Sequence, residues 1–314
     1  MNLSRLPFVD AVVSPSATVE FPVHFSKRLA NYGFAIAAFL REVKPVSLLT
    51  EMPGNVGDEL IHLGTRSFLE SAAIAYAPIS VSEINCSYHS AVGGTLVVPG
   101  SGALTREYHE WLPSLVLKAA DLFDRVVIMP SEYETEVPVV KEALGRRNVF
   151  ALAREAESYG RIKYFGRSGL AMDPALYAFD SKQACETKSK QDESKFNGES
   201  NVELLALRTD RCSRLSDVGL QPAKNNIDLS STASSLSSFL ESINSVDAVV
   251  SDRLHIVVSA VLLGKKVRYI DPRNEKISRY VRFTFGNTFS NQIEQRDLAW
   301  LRAEGYAVVK LGSS

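Results

Sequence analysis

Residues Asp247 to Asp271 read DAVVSDRLHIVVSAVLLGKKVRYID, and this stretch decides the fold. Its first part, residues 248–250, is a short apolar run, and the Ser251 and Asp252 that follow are residue types that favour helix N-caps. A helix is predicted next, because apolar residues recur at the spacing of one helix face: Leu254, Val257, Val258, Val261 and Leu262. Gly264 stands where a helix C-cap belongs, and residues 267–270 predict a second buried strand. The stretch therefore predicts a βαβ unit.

Arg253 and His255 fall in the first turn of this predicted helix, at the carboxyl end of a strand, where α/β sheets bind ligands. A helix N-terminus, a guanidinium and an imidazole together favour an anion. In an arbitrary protein, such residues are more often surface or capping residues. Both interpretations stay open at this point.

The composition of the 314 residues, with 45% hydrophobic and 23% charged, is that of a globular protein long enough for two domains. A net charge of −1 gives no general attraction to nucleic acid, so anion binding has to be local.

Cys86, Cys185 and Cys212 show no C-x-x-C spacing, and the histidines show no spacing for metal ligands, so we expect free thiols and no metal site. Neither a signal peptide nor an apolar run of ~20 residues is present, which predicts a cytoplasmic protein.

Apolar strands alternate with helical segments along the first half of the chain, which predicts a parallel sheet covered by helices. Residues 181–200 are almost entirely polar, which predicts a linker or surface loop. The predicted organisation is an N-terminal α/β domain (1–180), this linker, and a C-terminal α/β domain (201–314). Predicted strands are 46–49, 79–84, 95–98, 125–130, 149–153, 202–207 and 306–311, and predicted helices include 25–43, 108–123 and 236–243.

Two glycine-bearing loops follow strands of the first half. In the first, Gly54 and Gly57 are spaced G-x-x-G-D without a third glycine, and Asp58 would repel a pyrophosphate, which disfavours a dinucleotide site. Either both glycines make a tight turn and Asp58 caps the next helix, or Asn55 and Asp58 bind or deprotonate a hydroxyl-bearing substrate.

The second loop, Pro99 to Ala103, contains Gly100 and Gly102 at a strand end. Glycines let the backbone approach a ligand closely, so this loop is a second candidate for substrate binding.

The string S-D-R-L-H at 251–255, followed by a helix, a glycine, a strand and Lys276, resembles the C-terminal signature of the polysaccharide pyruvyl transferase family. Six further motifs are similar to that family in the expected order, although Ser101 replaces a usual glycine and Arg211-Cys212 stands where a glutamate often follows. They are Gly54–Asp58, Val98–Ala103, Val127–Pro130, Ala153–Glu155 with Ser158-Tyr159, Asp173–Ala175 and Leu207–Asp210.

The resemblance implies two Rossmann-like domains facing across a cleft, as in GT-B glycosyltransferases. It also implies an enzyme that moves pyruvate from phosphoenolpyruvate onto saccharide hydroxyls as a ketal, with no other cofactor. Phosphoenolpyruvate would bind the C-terminal domain, and the acceptor the N-terminal one. The expected acceptor is a lipid-linked unit of an exopolysaccharide, reached at the inner face of the cytoplasmic membrane through peripheral contact.

This chemistry requires cations for a phosphate and a carboxylate, one acid and one base. Arg253, Arg208 and Lys276 are the candidate cations. His255 is the candidate acid, because imidazoles exchange protons near neutral pH, and Asp58 is the candidate base. The other residues predicted to contact substrate are Ser251, Asn55, Gly57, Gly100 and Gly102.

Plainer interpretations remain open for several residues. Arg208 and Asp210 would also suit a salt-bridged strand end, Lys276 a solvated surface, and Arg154 and Glu155 a surface pair. Two other functions compete with the pyruvyl transferase: a GT-B glycosyltransferase that uses a nucleotide sugar, and a non-catalytic protein that binds a sugar or an anion. Binding of a nucleoside would identify the former.

Overall fold

The computed structural model describes residues 22–86, 92–108, 111–180, 202–210, 212–272 and 274–309. Among these, residues 22–54 and 61–180 form one compact unit, and residues 55–60 and 202–309 form a second. The predicted linker, 181–200, lies outside the described residues.

The first unit is built on a six-stranded sheet in the order β2-β1-β3-β4-β5-β6, and every pair in it is parallel. The strands are β1 (Val46–Thr50), β2 (Ala77–Ser80), β3 (Thr95–Val98), β4 (Arg125–Ser131), β5 (Val149–Ala153) and β6 (Ser168–Leu170). The helices are α1 (Val23–Glu42), α2 (Val56–Ser71), α3 (Val81–Cys86), α4 (Leu112–Leu122), α5 (Pro138–Gly145) and α6 (Ala156–Ile162), and 3-10 turns span Lys163–Phe165 and Pro174–Asp180.

The central strands are buried along their length because their residues are almost all apolar. All of β3 and all of β5 are buried, which is typical of parallel strands enclosed on both faces. Parallel pairing directs the carboxyl ends of all six strands to one edge of the sheet. That edge carries the glycine loop after β3 and the polar residues after β4 and β5.

The second unit has a four-stranded parallel sheet in the order β11-β10-β9-β7 and a separate antiparallel pair, β8 with β12. Its strands are β7 (Glu203–Ala206), β8 (Leu220–Pro222), β9 (Ala248–Ser251), β10 (Lys266–Ile270), β11 (Ile293–Arg296) and β12 (Ala307–Val309). Its helices are α7 (Arg214–Asp217), α8 (Leu229–Thr232), α9 (Leu236–Asn244), α10 (Leu254–Leu262), α11 (Lys276–Thr284) and α12 (Leu298–Ala303), and the first residues of α2 group with this unit.

The predicted α/β fold and the βαβ unit of residues 247–271 are confirmed, since β9, α10 and β10 follow one another there. Gly264, with φ 75°, follows α10 as expected for a left-handed C-terminal residue. The prediction of Ser251 or Asp252 as N-cap was wrong, because the cap position is Arg253. The GT-B-like arrangement of the two units stays a prediction.

Two of the differences between the sequence prediction and the structure have a clear physical reason. Residues 81–84 were expected in a strand but belong to α3, which begins with a capping box: Glu83 accepts from the N–H of Ser80 (2.7 Å), and the Ser80 hydroxyl accepts from the N–H of Glu83 (3.1 Å). This pairing outweighs the strand preference of the β-branched residues Val81 and Ile84. Strand β11 was missed because only one of its four residues, Ile293, is apolar.

Cys86 is an exposed free thiol and Cys212 a buried one, whereas Cys185 lies outside the described residues. Among the helices in the described part of the chain, none is long and apolar enough to cross a membrane. The same part of the chain contains no group of three His, Cys, Asp or Glu side chains able to hold a metal ion.

Gly64 allows α2 to pack directly on the 3-10 turn at Pro174. A Cβ atom at this position would lie 1.8 Å from the carbonyl oxygen of Pro174, which is backbone and has little freedom to move. We therefore expect Gly64→Ala to lower the free energy of unfolding by about 1–3 kcal/mol. Urea denaturation followed by circular dichroism measures this change.

The matched control is Gly160→Ala in α6, where a Cβ would meet no atom within 4 Å. There the higher helix propensity of alanine is expected to leave stability unchanged or raised by up to about 1 kcal/mol. Equal effects of the two substitutions would contradict the proposed packing of α2.

Candidate functional site

The carboxyl edge of the second sheet carries the charged residues of the site. Arg208 and Asp210 follow β7, and Asp252 and Arg253 follow β9, its neighbour in the sheet. Because these strands are parallel, the two loops leave the sheet at the same edge and bring the four side chains together.

Arg253 is held by two aspartates. Its Nε and Nη2 donate to the two carboxylate oxygens of Asp228, each at 2.6 Å, and Nη2 also donates to Asp210 at 3.0 Å. Only 8% of the Arg253 side chain is exposed, and a buried guanidinium requires such compensation. Arg253 therefore has a structural role at the sheet edge in addition to any contact with a ligand.

Asp228 has no counterpart among the residues predicted from the sequence. It precedes α8 and is buried, and besides Arg253 it accepts hydrogen bonds from the N–H (2.8 Å) and the hydroxyl (3.0 Å) of Thr209. It thereby joins the loop after β7 to the loop after β9. No local pattern marks Asp228, because its partners lie 19 and 25 residues away.

Arg208 and Asp210 form the salt-bridged strand end that was one of the two interpretations of this segment. Nε and Nη2 of Arg208 donate to the two oxygens of Asp210 at 2.9 and 3.1 Å. Burial alone would raise the pKa of Asp210, but the hydrogen bonds and charge of Arg208, the N–H of Cys212 and the charge of Arg253 outweigh it and lower that pKa. Asp210 is thus an ionised carboxylate shared by two arginines.

Asp252 lies beside these groups and is buried. Its Oδ1 accepts a hydrogen bond from the N–H of Arg208 at 2.7 Å. Burial raises the pKa of Asp252 to about 7, and the N–H of Arg208 and the charges of Arg208 and Arg253 oppose the shift only in part. Near neutral pH, this carboxyl is therefore divided between its protonated and ionised forms.

Ser251 is fully buried, and its hydroxyl bonds to backbone. It donates to the carbonyl of Ala206 on the neighbouring strand (2.7 Å) and accepts from the N–H of Arg253 (3.0 Å). Ser251 therefore positions Arg253, and a direct contact of this hydroxyl with substrate would require a rearrangement.

His255 lies in the first turn of α10 and approaches Gly57, in the part of α2 that groups with the second unit. A Cβ at position 57 would lie 3.1 Å from Cβ and 3.2 Å from Nδ1 of His255. Gly57 is inside α2 and has no left-handed φ, so the tight-turn interpretation of this glycine was wrong. The close approach of the His255 imidazole therefore favours glycine, which has no side chain, at position 57.

Asn55 and Asp58 cap α2 reciprocally. The side-chain oxygen of Asn55 accepts from the N–H of Gly57 (2.8 Å), and Oδ2 of Asp58 accepts from the N–H of Asn55 (2.9 Å). This arrangement satisfies donors at the helix N-terminus, so the capping interpretation is confirmed. Roles of these two residues in substrate binding or proton transfer stay predictions.

Lys276 is the half-buried first residue of α11. The N-terminus of that helix is capped by Asp271, which accepts from the N–H groups of Ile277 (3.0 Å) and Ser278 (2.9 Å). An anion at this helix end would therefore meet a carboxylate as well as a lysine.

The glycine loop of the first unit has a packing role. A Cβ at Gly100 would lie 2.4 Å from the carbonyl oxygen of Pro130 in β4, so close contact of two backbones requires this glycine. Gly102 accepts a hydrogen bond from the hydroxyl of Thr105 at 2.9 Å. Contact of either glycine with a substrate stays a prediction.

One interpretation of the sequence placed Arg154 and Glu155 at the surface as a pair, and the structure contradicts it. Both are buried: Arg154 forms ion pairs with Glu132 (3.2 Å) and Asp173 (3.1 Å), and Glu155 caps α6 by accepting from two N–H groups of its first turn. This cluster ties together the ends of β4, β5 and β6.

These observations define a Rossmann-like α/β protein with an arginine-bearing site at the carboxyl edge of a parallel sheet, where proteins of this class bind their ligands. The family model described as polysaccharide pyruvyl transferase matches residues 55–274, more than half of the chain. The chain therefore belongs to the polysaccharide pyruvyl transferase family, which implies a transferase with a saccharide acceptor. The match runs from the cap residue Asn55 past His255 and ends two residues before Lys276.

The fold is similar to the crystal structure of an uncharacterized protein from Klebsiella pneumoniae, with a TM-score of 0.66. The two sequences are 19% identical, and the similarity covers 85% of this chain and 98% of the other. At this identity the similarity concerns the fold alone. A comparison with curated proteins found no match.

The pKa of Asp252 gives stability a definite pH dependence. The unfolded carboxyl loses its proton near pH 4, whereas the folded protein retains it up to about pH 7. The stabilisation from this proton is thus complete below about pH 4 and is lost as the pH rises towards 7. Asp252→Asn keeps an acceptor for the Arg208 N–H and removes that loss, so its stability relative to wild type should rise across this window, by at most about 1.4 kcal/mol per pH unit.

Urea unfolding of both proteins at steps between pH 4 and 8 measures this difference. Asp247→Asn, an exposed carboxylate at the opposite edge of the same sheet, is the control and should show no such rise. A stability difference for Asp252→Asn that does not change with pH would contradict the assignment.

Proposed function

We propose that the protein transfers the pyruvyl group of phosphoenolpyruvate onto two hydroxyls of a saccharide and forms a cyclic pyruvate ketal in exopolysaccharide biosynthesis. The observation that carries the proposal is that Arg208 and Arg253 together hold one carboxylate, that of Asp210, at the carboxyl edge of the second sheet. A site built in this way has the donors to bind the carboxylate or phosphate of such a substrate. Family membership supports the pyruvyl group and the saccharide as the substrates.

The reaction requires several bond changes around the middle carbon of phosphoenolpyruvate. A proton is added to the methylene carbon, which becomes the methyl group, and positive charge develops on the middle carbon. Two saccharide oxygens bond to that carbon while its bond to the phosphate oxygen breaks. Of the two hydroxyl protons released, one balances the proton consumed at the methylene carbon and the other is set free with phosphate.

We assign the cationic role to Arg208 and Arg253, with Lys276 as a further candidate. Guanidinium groups contact carboxylates and phosphates through two N–H donors at once, and both arginines already make such contacts with aspartates. The contact with Asp228 fixes the plane of the Arg253 guanidinium before a substrate arrives, which lowers the ordering cost of binding.

We assign the role of acid to His255 and the role of base to Asp58. The approach of His255 to Gly57 brings the imidazole beside the turn of α2 that carries Asp58, the next residue along the chain. An acid and a base on adjacent helix turns would suit a reaction in which one carbon gains a proton while hydroxyls lose theirs. On sequence grounds the acceptor is lipid-linked and reached from the cytoplasmic side of the membrane.

Ligand-induced stabilisation tests the donor. Phosphoenolpyruvate is expected to raise the melting temperature of the native protein, and a panel of nucleotide sugars is not, because a ligand that binds only the folded state adds about 2.7 kcal/mol at 100 times its Kd. Differential scanning fluorimetry measures both. Arg253→Lys, which keeps the charge but loses the two-pronged contact, should reduce the stabilisation relative to its own unliganded baseline. Stabilisation by a nucleotide sugar alone would contradict the donor and favour a glycosyltransferase.

Turnover tests the acid and the base. With phosphate release as the assay, we expect His255→Gln and Asp58→Asn each to lower kcat by about 100-fold to 10,000-fold, the usual contribution of a positioned acid or base. Asp58→Asn keeps an acceptor for the Asn55 N–H, so the helix cap survives the substitution. Asp121→Asn, which makes the same kind of change at an exposed carboxylate of α4 in the first unit, serves as the control. Unchanged kcat in either variant would remove that residue from its role.

A further inference from the structure

The two aspartates that contact Arg253 differ in accessibility and in the number of groups they hold. The Asp228 side chain is 4% exposed and accepts from Arg253 and Thr209. The Asp210 side chain is 39% exposed and bridges Arg208 and Arg253. Asp228 is therefore part of the framework, whereas Asp210 lies on the solvent side of the same arginines.

Asp210 also makes the contact that a substrate anion would make. Its two oxygens accept from Nε and Nη2 of Arg208, the fork with which arginine binds a carboxylate or a phosphate, and Oδ2 accepts in addition from Nη2 of Arg253. An anion that binds the Arg208 fork has to take these N–H groups from Asp210 and is repelled by its charge until it does so.

We propose that Asp210 is a specificity-determining residue: its carboxylate competes with anionic ligands for Arg208 and Arg253. A ligand with one anionic group gains little binding free energy when it displaces Asp210, because the arginines then contact one anion in place of another. A ligand that carries both a phosphate and a carboxylate gains a second set of charged contacts. The competition therefore favours the donor over inorganic phosphate, the product that has to leave.

The inference rests on the proposed function only for the identity of the donor, so inorganic phosphate is the first probe. We expect Asp210→Asn to bind phosphate about tenfold more tightly than the native protein, since one competing charged hydrogen-bonding group is lost. Isothermal titration calorimetry at fixed ionic strength measures the affinities. The preference for phosphoenolpyruvate over phosphate should fall in the same variant.

Two control variants identify the cause of a gain in phosphate affinity. Asp247→Asn makes the same change in charge at the opposite edge of the sheet and should leave phosphate affinity unchanged. The double variant Arg208→Gln, Asp210→Asn should not show the tighter phosphate binding, which would assign that effect to the N–H donors of Arg208. If Asp210→Asn folds poorly, Asp210→Ser keeps a hydroxyl to accept the Cys212 N–H and makes the same test.

The outcomes separate this inference from the proposed function. Tighter phosphate binding in Asp210→Asn supports the competition, even if phosphoenolpyruvate binds to none of the proteins and the proposed donor is wrong. Unchanged or weaker phosphate binding overturns the competition and makes Asp210 a residue that positions the arginines, even if phosphoenolpyruvate binds the native protein well.

Discussion

The buried ion pair between Arg253 and Asp228 organises the carboxyl edge of the second sheet. A guanidinium that is 8% exposed is stable only beside a carboxylate, and Asp228 supplies one while also holding Thr209 in the loop after β7. The loops after β7 and β9 are therefore fixed to each other. The Ser251 hydroxyl reinforces the same junction, since it joins the carbonyl of Ala206 to the N–H of Arg253.

The first sheet contains a comparable cluster with a different exposure. Arg154 follows β5 as Arg253 follows β9, and it too is paired with two carboxylates, Glu132 and Asp173. Those two side chains are 2% and 0% exposed, whereas Asp210 is 39% exposed. The cluster around Arg154 is closed to solvent and joins strand ends, so it supports the fold. The cluster around Arg253 is open on one side, so it is the one suited to a ligand.

The sequence predicts the fold well where a signal is local. The strand at 149–153 is a continuous apolar run, the strand at 95–98 is apolar after Thr95, and the predicted bounds of both agree with the structure. The helix of the βαβ unit follows from its apolar spacing. The site is less predictable because its contacts are distant in sequence. Asp228 lies 25 residues before Arg253, and Gly57 lies against His255, which belongs to the second half of the chain. The α3 helix is the exception, because its Ser80–Glu83 capping box is a local signal, although the β-branched residues around it predict a strand.

Stability alone does not explain why charged groups are buried at the second sheet edge. Replacing a buried ion pair by packed apolar side chains is often neutral or stabilising, so the Arg253–Asp228 pair sets the geometry of this edge without being needed for net stability. Asp252 adds a carboxyl that burial makes costly to ionise, immediately beside these charges. Charged groups that are costly to bury, and that meet at the edge where parallel sheets bind ligands, are typical of a ligand site rather than of a packed core.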